Sequence, residues 1–413
     1  MKLNIKTMLC AVLPGALLVC DATAEGYRSV ISDAGRDIPV CVVKGTPYEM
    51  GYAFGKLFQG EAKDLIYTML AAVKQESPEE FSTEALDKAW VTNSPFIADR
   101  LKEEIKGVAA GTGVPLVDVQ RVHMIPLLSD YSCSSLCLWD KATKSGDLYL
   151  TRNLDWVMGI RAHDRAALVV YLPEEGTPHL NVSFAGYVGS NTGMSAAGIA
   201  LSEMGDSPGR EKPYSLEGVH FTMLFREIMY DADSLEAALD MLREVVRIKK
   251  YHYVFGSGRE KKGAKIKAHA PDLDIWYDND EKDEFYPKVV EDLVYNDEGR
   301  GAFPHLQKSY GKHDENTIIE IAKAIPIKGH NVLDVVYNAS SLEFWISYAQ
   351  GETEAYKMPF VHGDLTTFLD YSKPGGPILA RVDVDGKLIV IAEAEKSTND
   401  GNRKERFKQL DKK

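Results

Sequence analysis

Cysteine is scarce in this chain, with five among 413 residues. Cys10 and Cys20 fall in the first two dozen positions, which leaves Cys41, Cys133 and Cys137 for the remainder. Three cysteines in a large chain make no disulfide framework, and an odd number leaves at least one thiol free. Positive charge is also in deficit. Lysine and arginine number 48 against 61 acidic residues, a formal net charge of −13, which argues against a nucleic-acid binder, since phosphate contact needs a clustered basic face. Beyond residue 24 no apolar run is long enough to span a bilayer. The ten histidines are scattered, with no H-E-x-x-H and no Cys/His pairs at zinc spacing, so neither a metal nor another cofactor is expected. The acids Asp272, Asp274, Asp278, Asp280 and Glu281 do not follow an EF-hand spacing and read as a solvated loop.

What is present is the composition of an ordinary globular chain, 45% hydrophobic and 26% charged. Lys2 and Lys6 precede an apolar run from Met8 to Val19, and Ala22-Thr23-Ala24 is a small-x-small site. This pattern predicts a signal peptide over 1–24, and with it a secreted or periplasmic protein, lysosomal or extracellular in a eukaryote.

The segment 25–132 reads as mainly helical after a short strand at 38–43. Thr46 suits an N-cap, Pro47 the first helical position and Glu49 the third, starting a helix that runs towards Ala72. Further helices are predicted over 84–108 and 116–128. From Cys133 the pattern becomes β-type, with runs at 148–152, 167–172, 180–185, 199–203, 251–255, 273–277, 332–338, 344–348 and 388–394. Helical sequence interrupts it over 216–246, with Asp233 and Glu236 as a capping pair at a break, and again over 317–324. Two antiparallel sheets with helices outside, an α+β fold, follow for 133–394. The charged tail 395–413 reads as disordered.

The chemistry concentrates in one hairpin. Cys133-Ser134-Ser135-Leu136 opens an apolar strand, Lys144-Ser145-Gly146-Asp147 supplies a turn, and the next strand ends in Arg152-Asn153-Leu154-Asp155-Trp156. Antiparallel pairing brings the thiol to the Arg152 and Asp155 end. A guanidinium favours thiolate, and a carboxylate can orient a nearby amine. Cys137 shares a face with Cys133, but Cys133 stands at the strand start, before two serines.

These residues resemble the acyl-coenzyme A:6-aminopenicillanic acid acyltransferase family of N-terminal-nucleophile (Ntn) hydrolases. Gly45-Thr46-Pro47-Tyr48-Glu49-Met50-Gly51-Tyr52-Ala53-Phe54-Gly55 is similar to its signature helix. Cys133-Ser134-Ser135, Ala142-Thr143, Gly146 and Arg152–Trp156 are similar to its nucleophile hairpin, and Gly193-Met194-Ser195-Ala196-Ala197-Gly198 to a later strand. Bile salt hydrolases, penicillin V acylases and acid ceramidase-like amidases share the Arg-Asn-Leu-Asp-aromatic block. The resemblance implies a four-layer αββα sandwich and a precursor that cuts itself between Ser132 and Cys133. It further implies an acyl-Cys133 intermediate, Arg152 stabilising charge near the sulfur, Asp155 holding the new α-amine and thiol, and an oxyanion asparagine, for which Asn296 is the candidate. The implied substrate is a small-molecule N-acyl amide or acyl donor. This chain departs from the family with Tyr131-Ser132 where glycine often precedes the nucleophile, and with Ser195-Ala196 where an Asn-Glu pair is usual. A peptidase of the same superfamily, or a silent binding protein that is never cut, are the alternatives.

Other motifs read as structural. Ser195 is not in a G-x-S-x-G elbow and reads as a turn or strand-edge serine. His123 reads as a packed polar side chain, and Gly256-Ser257-Gly258 with Arg259, Lys261 and Lys262 as a hairpin tip. Asn181-Val182-Ser183 and Asn338-Ala339-Ser340 are glycosylation sequons in form.

Overall fold

The structure is a computed structural model that describes residues 24–129, 131–205, 215–268, 272–283 and 290–391. Residues 1–23 of the expected leader, the loop 206–214 and the charged tail 395–413 lie outside the described residues.

The chain begins with a β-hairpin, β1 (Glu25–Asp33) and β2 (Arg36–Gly45), where the sequence suggested only a short strand. Its two-residue turn holds Ala34 and Gly35 at φ of 49° and 75°, the twist that closes a tight hairpin. Five helices follow: α1 (Pro47–Leu57), α2 (Gln59–Glu76), α3 (Thr83–Asn93), α4 (Asp99–Thr112) and α5 (Leu116–Leu128). The Thr46 cap forms as expected, its Oγ1 accepting from Glu49 N at 3.4 Å while Glu49 Oε2 accepts from Thr46 N at 2.9 Å. The helix expected over 84–108 is instead α3 and α4, because Ser94-Pro95-Phe96 forms a 3-10 turn between them and proline cannot continue the hydrogen-bond ladder.

Next come β3 (Ser132–Leu138), β4 (Tyr149–Asp155), β5 (Ala166–Pro173), β6 (His179–Phe184), β7 (Thr192–Ser195) and β8 (Ile199–Met204). The central helices are α6 (Phe221–Asp231) and α7 (Leu235–Glu244). Ser234 caps the second by accepting from Ala237 N, one residue beyond the expected Asp233. The rest is β9 (Tyr251–Ser257), β10 (Lys262–Ala268), β11 (Leu273–Trp276), β12 (Leu293–Asn296), α8 (Ala302–Lys308), α9 (Glu315–Ala324), β13 (Asn331–Asn338), β14 (Glu343–Tyr348), β15 (Val361–Asp364), α10 (Thr366–Leu369), β16 (Ile378–Val382) and β17 (Leu388–Val390).

Two sheets result. One has eleven strands in the order β11-β10-β9-β8-β7-β6-β5-β2-β1-β16-β17, the other six in the order β12-β3-β4-β13-β14-β15. Strands β3 and β4 pack on β8 and β9, α1 and α6 lie against the outer face of the larger sheet, and α9 against that of the smaller. This is a four-layer αββα sandwich. The amino-terminal hairpin lies inside the larger sheet, with β2 parallel to β5 and β1 antiparallel to β16. The segment 25–132 is therefore not simply a helical preface to a separate 133–394 unit, because its first strands complete that unit's sheet.

Alternation along β3 decides what faces what. Cys133 and Cys137 join the core between the sheets, while Leu136 and Leu138 pack with Leu306 of α8 and Ile321 of α9. Among the described residues no helix is long and apolar enough to cross a membrane.

Candidate active site

Cys133 pairs with Leu154 and Ser132 with Asp155 across the β3–β4 ladder, so the expected hairpin forms and its far ends meet. Arg152 is two residues from Leu154 on the same face and reaches into the space between the sheets beside the thiol. It is fully buried, and its Nη2 donates to Glu203 Oε2 of β8 at 3.3 Å. Cys133 is fully buried too. Burial pushes its thiol up to about 12, against the pull of Arg152, so the intact chain holds a thiol and not a thiolate. Cys137 lies instead against Gly256 and Gly263, where burial alone raises it and no charged group acts on it. The two cysteines are thereby sorted by their surroundings.

Asp155 stands on the opposite face of β4 from Arg152, beside the Ser132–Cys133 peptide. Its Oδ2 accepts from Arg300 Nη1 at 2.7 Å and Ile327 N at 3.0 Å, and its Oδ1 from Asn331 Nδ2 at 3.1 Å. Burial raises its carboxyl pKa against these donors. Asn331 and Asn153 also donate to Asp334 Oδ1 at 2.7 and 2.6 Å, a buried network that fixes the end of β4. Its oxygens are thus engaged by Arg300, Ile327 and Asn331.

Asn296 ends β12 opposite Ser135, which shares its face with Cys133. It is buried, and its Oδ1 accepts from Glu298 N at 3.2 Å. It thus faces the thiol's side of the sheet, one pair of residues along, and is not a surface turn.

Two groups escaped the sequence reading. Glu203 is fully buried, and burial lifts its carboxyl from 4.5 to about 7. The signal was present, as an acid following Ser202 in the mainly apolar run Ile199-Ala200-Leu201-Ser202-Glu203-Met204. Arg300 follows a turn at Glu298-Gly299, and nothing local marks it. The structural readings hold elsewhere. His123 accepts from Val188 N and bonds Val119 O from a stack on Tyr187. Ser195 ends β7; residues 258–261 form the β9–β10 turn, while Gly256 and Ser257 of the expected tip are buried in β9. Asn181 and Asn338 are both buried in strands, so neither sequon can carry a glycan in this fold. Among the described residues no group of three or more His, Cys, Asp or Glu is placed to hold a metal ion.

Above the thiol the chain itself forms a cover. Tyr131 tilts against Phe221 at 6.4 Å, and its hydroxyl lies within the fields of Glu203, Cys133 and Arg152. Gly205 backs onto it so closely that a Cβ there would stand 2.2 Å from the Tyr131 carbonyl oxygen. Beside it opens an apolar cleft of about 560 Å³, mouth included, lined by Ile66, Met69, Pro126, Tyr131, Leu154 and Trp156 among others. A buried thiol next to a guanidinium, a carboxylate and an apolar cleft can form and hold an acyl group once uncovered.

No family model matches the chain. It is 25% identical over 298 residues to protein dcd1B of Dictyostelium discoideum, covering 67% of this chain and 59% of that protein. It is 27% identical over 192 residues to the N-acylethanolamine-hydrolyzing acid amidase of Mus musculus, covering 44% and 51%. The chain therefore spans only about half to three-fifths of these relatives' lengths. Among solved structures, penicillin V acylase from Agrobacterium tumefaciens aligns with a TM-score of 0.38 at 10% identity, over 64% of this chain and 99% of that one. These likenesses are distant, and none of them is specifically to the acyltransferase family.

Proposed function

We propose that this chain is an exported cysteine amidohydrolase. In this reading it cuts itself between Ser132 and Cys133 and then cleaves an N-acyl amide through an acyl-Cys133 intermediate. The observation that carries the reading is the buried junction of Cys133, Arg152 and Glu203, next to Tyr131 and Leu154, which both line an apolar cleft. Cutting would free an α-amine with a reference pKa of about 7.7–8.0, able to take the thiol proton at neutral pH without a histidine. It would also let Tyr131 withdraw, opening the thiol to the cleft. Arg152 would then balance charge at the sulfur, and Asn296 with backbone N–H groups would receive the oxyanion. The cleft's apolar lining favours an acyl chain over a charged peptide, and water as acceptor makes hydrolysis the default over transfer.

The reading is tested by intact mass and denaturing gels of the purified chain beside Cys133→Ala, followed by a series of fluorogenic N-acyl amides of increasing chain length. Two fragments meeting at Cys133 and turnover in the wild type alone support it. A single uncut, inactive chain in both would instead favour the silent binding protein, for which the complete burial of Cys133 beneath Tyr131 is the motivating observation.

A further inference from the structure

The peptide between Ser132 and Cys133 is gripped from both sides by one guanidinium. Arg300 Nη2 donates to the Ser132 hydroxyl oxygen at 3.3 Å and to the Cys133 carbonyl oxygen at 2.8 Å. The same nitrogen meets Glu298 Oε2 at 3.1 Å, and Nη1 donates to Asp155 Oδ2 at 2.7 Å. The Ser132 hydroxyl in turn donates to Glu298 Oε2 at 2.5 Å. Both hydrogen-bonding directions of that hydroxyl are thus used, donating to a carboxylate and accepting from a guanidinium. Nothing in the thiol's own pocket requires this arrangement, since Ser132 and Asp155 stand on the far face of the hairpin from Cys133.

We propose that Arg300, tethered by Glu298 and Asp155, is the positioning residue for self-cleavage, and that the Glu298–Arg300 pair selects a hydroxyl at residue 132. This inference rests on the self-cleavage reading above. In that step the Cys133 sulfur bonds the Ser132 carbonyl carbon as the C–N bond breaks, and the thiol proton passes to the departing nitrogen. Water then hydrolyses the thioester, leaving a Ser132 carboxylate and a free Cys133 thiol and amine. Arg300 moves no electrons in this sequence. It fixes the side chain before the bond and the carbonyl after it, so the peptide cannot swing away from the sulfur, and geometry of this kind governs attack. Serine at the position before the nucleophile then has a partner of its own, which glycine or alanine lacks.

The experiment follows the uncut fraction of freshly purified full-length chain over time, by denaturing gel and intact mass. The variants are Ser132→Ala, Ser132→Thr, Glu298→Gln, Arg300→Gln and the double variant Ser132→Ala/Glu298→Gln, each with a thermal midpoint. Glu298 is 38% exposed, so its substitution leaves the core filled even where loss of Arg300 prevents folding. Expected are slowing by about tenfold or more in Ser132→Ala and Glu298→Gln, near-normal cutting in Ser132→Thr, and a double variant no slower than either single. Cutting at the wild-type rate in both single variants, or independent multiplied losses in the double, overturns the proposal while leaving the function standing. A wild type that never cuts overturns the function and this inference together.

Discussion

Glu203 is where a single residue sets a measurable property of this protein. Its carboxyl is raised from 4.5 to about 7, so the folded state holds the proton more tightly than the unfolded one. The stability it contributes is full below about pH 4.5 and is lost as pH rises through about 7. In an uncut Cys133→Ala background, Glu203→Gln should remove that loss, so its thermal midpoint gains on its parent between those pH values. Parallel midpoint curves would refute the assignment. Its partner Arg152 behaves differently. Arg152→Gln leaves an acid buried without its cation, at a cost of about 3–5 kcal/mol, to be read from denaturant unfolding of the same background. A loss within about 0.5 kcal/mol, as for an ordinary surface change, would mean the pair is not coupled in solution. At this scale the sequence was legible where chemistry is local. Cys133, Arg152 and Asp155 could be placed from one turn and a period of two. Arg300 could not, because only the fold carries it from beyond β12 to the start of β3.

Among the elements, α1 and α4 cross with almost no side chain between them. A Cβ on Gly107 would stand 2.2 Å from the Tyr48 carbonyl oxygen, and one on Gly51 2.1 Å from that of Glu104. The glycines of the signature helix are thus explained by backbone-to-backbone packing. Gly107→Ala should cost more than about 2 kcal/mol despite alanine's better helix propensity, because the contact is with main chain and cannot yield. A neutral or stabilising result by denaturant unfolding would mean the helices can part. The β1–β2 turn offers the opposite case. Ala34 at φ 49° pays for a left-handed conformation that asparagine tolerates better, so Ala34→Asn should raise the thermal midpoint by a few degrees. Helix α1, with its local capping box, was readable in advance. Strand β1 was not, since Glu25-Gly26-Tyr27-Arg28-Ser29-Val30 mixes signals and gains its strand character from β2 and β16 on either side.

Across the whole molecule, residues on the two sides of Cys133 are interleaved. Arg226 of α6 forms a fully buried two-pronged pair with Glu104 of α4, at 2.9 Å for each bond, and β2 lies between β5 and β1 in the larger sheet. If the chain cuts itself as proposed, the two pieces should therefore co-elute as one species in native chromatography and separate only in denaturant. Elution as two species would show that the shared sheet does not hold them. The insertion of β1 and β2 in mid-sheet has one more result. An uncut chain brings the hairpin to its slot by closing a loop within one polymer, a cost that does not depend on dilution. After the cut, the same slot must be found by a separate molecule, in competition with aggregation of exposed strand edges. The protein would then be assembled once, under terms it cannot recover, and its lifetime would be governed by how slowly it comes apart and not by any balance between folded and unfolded forms.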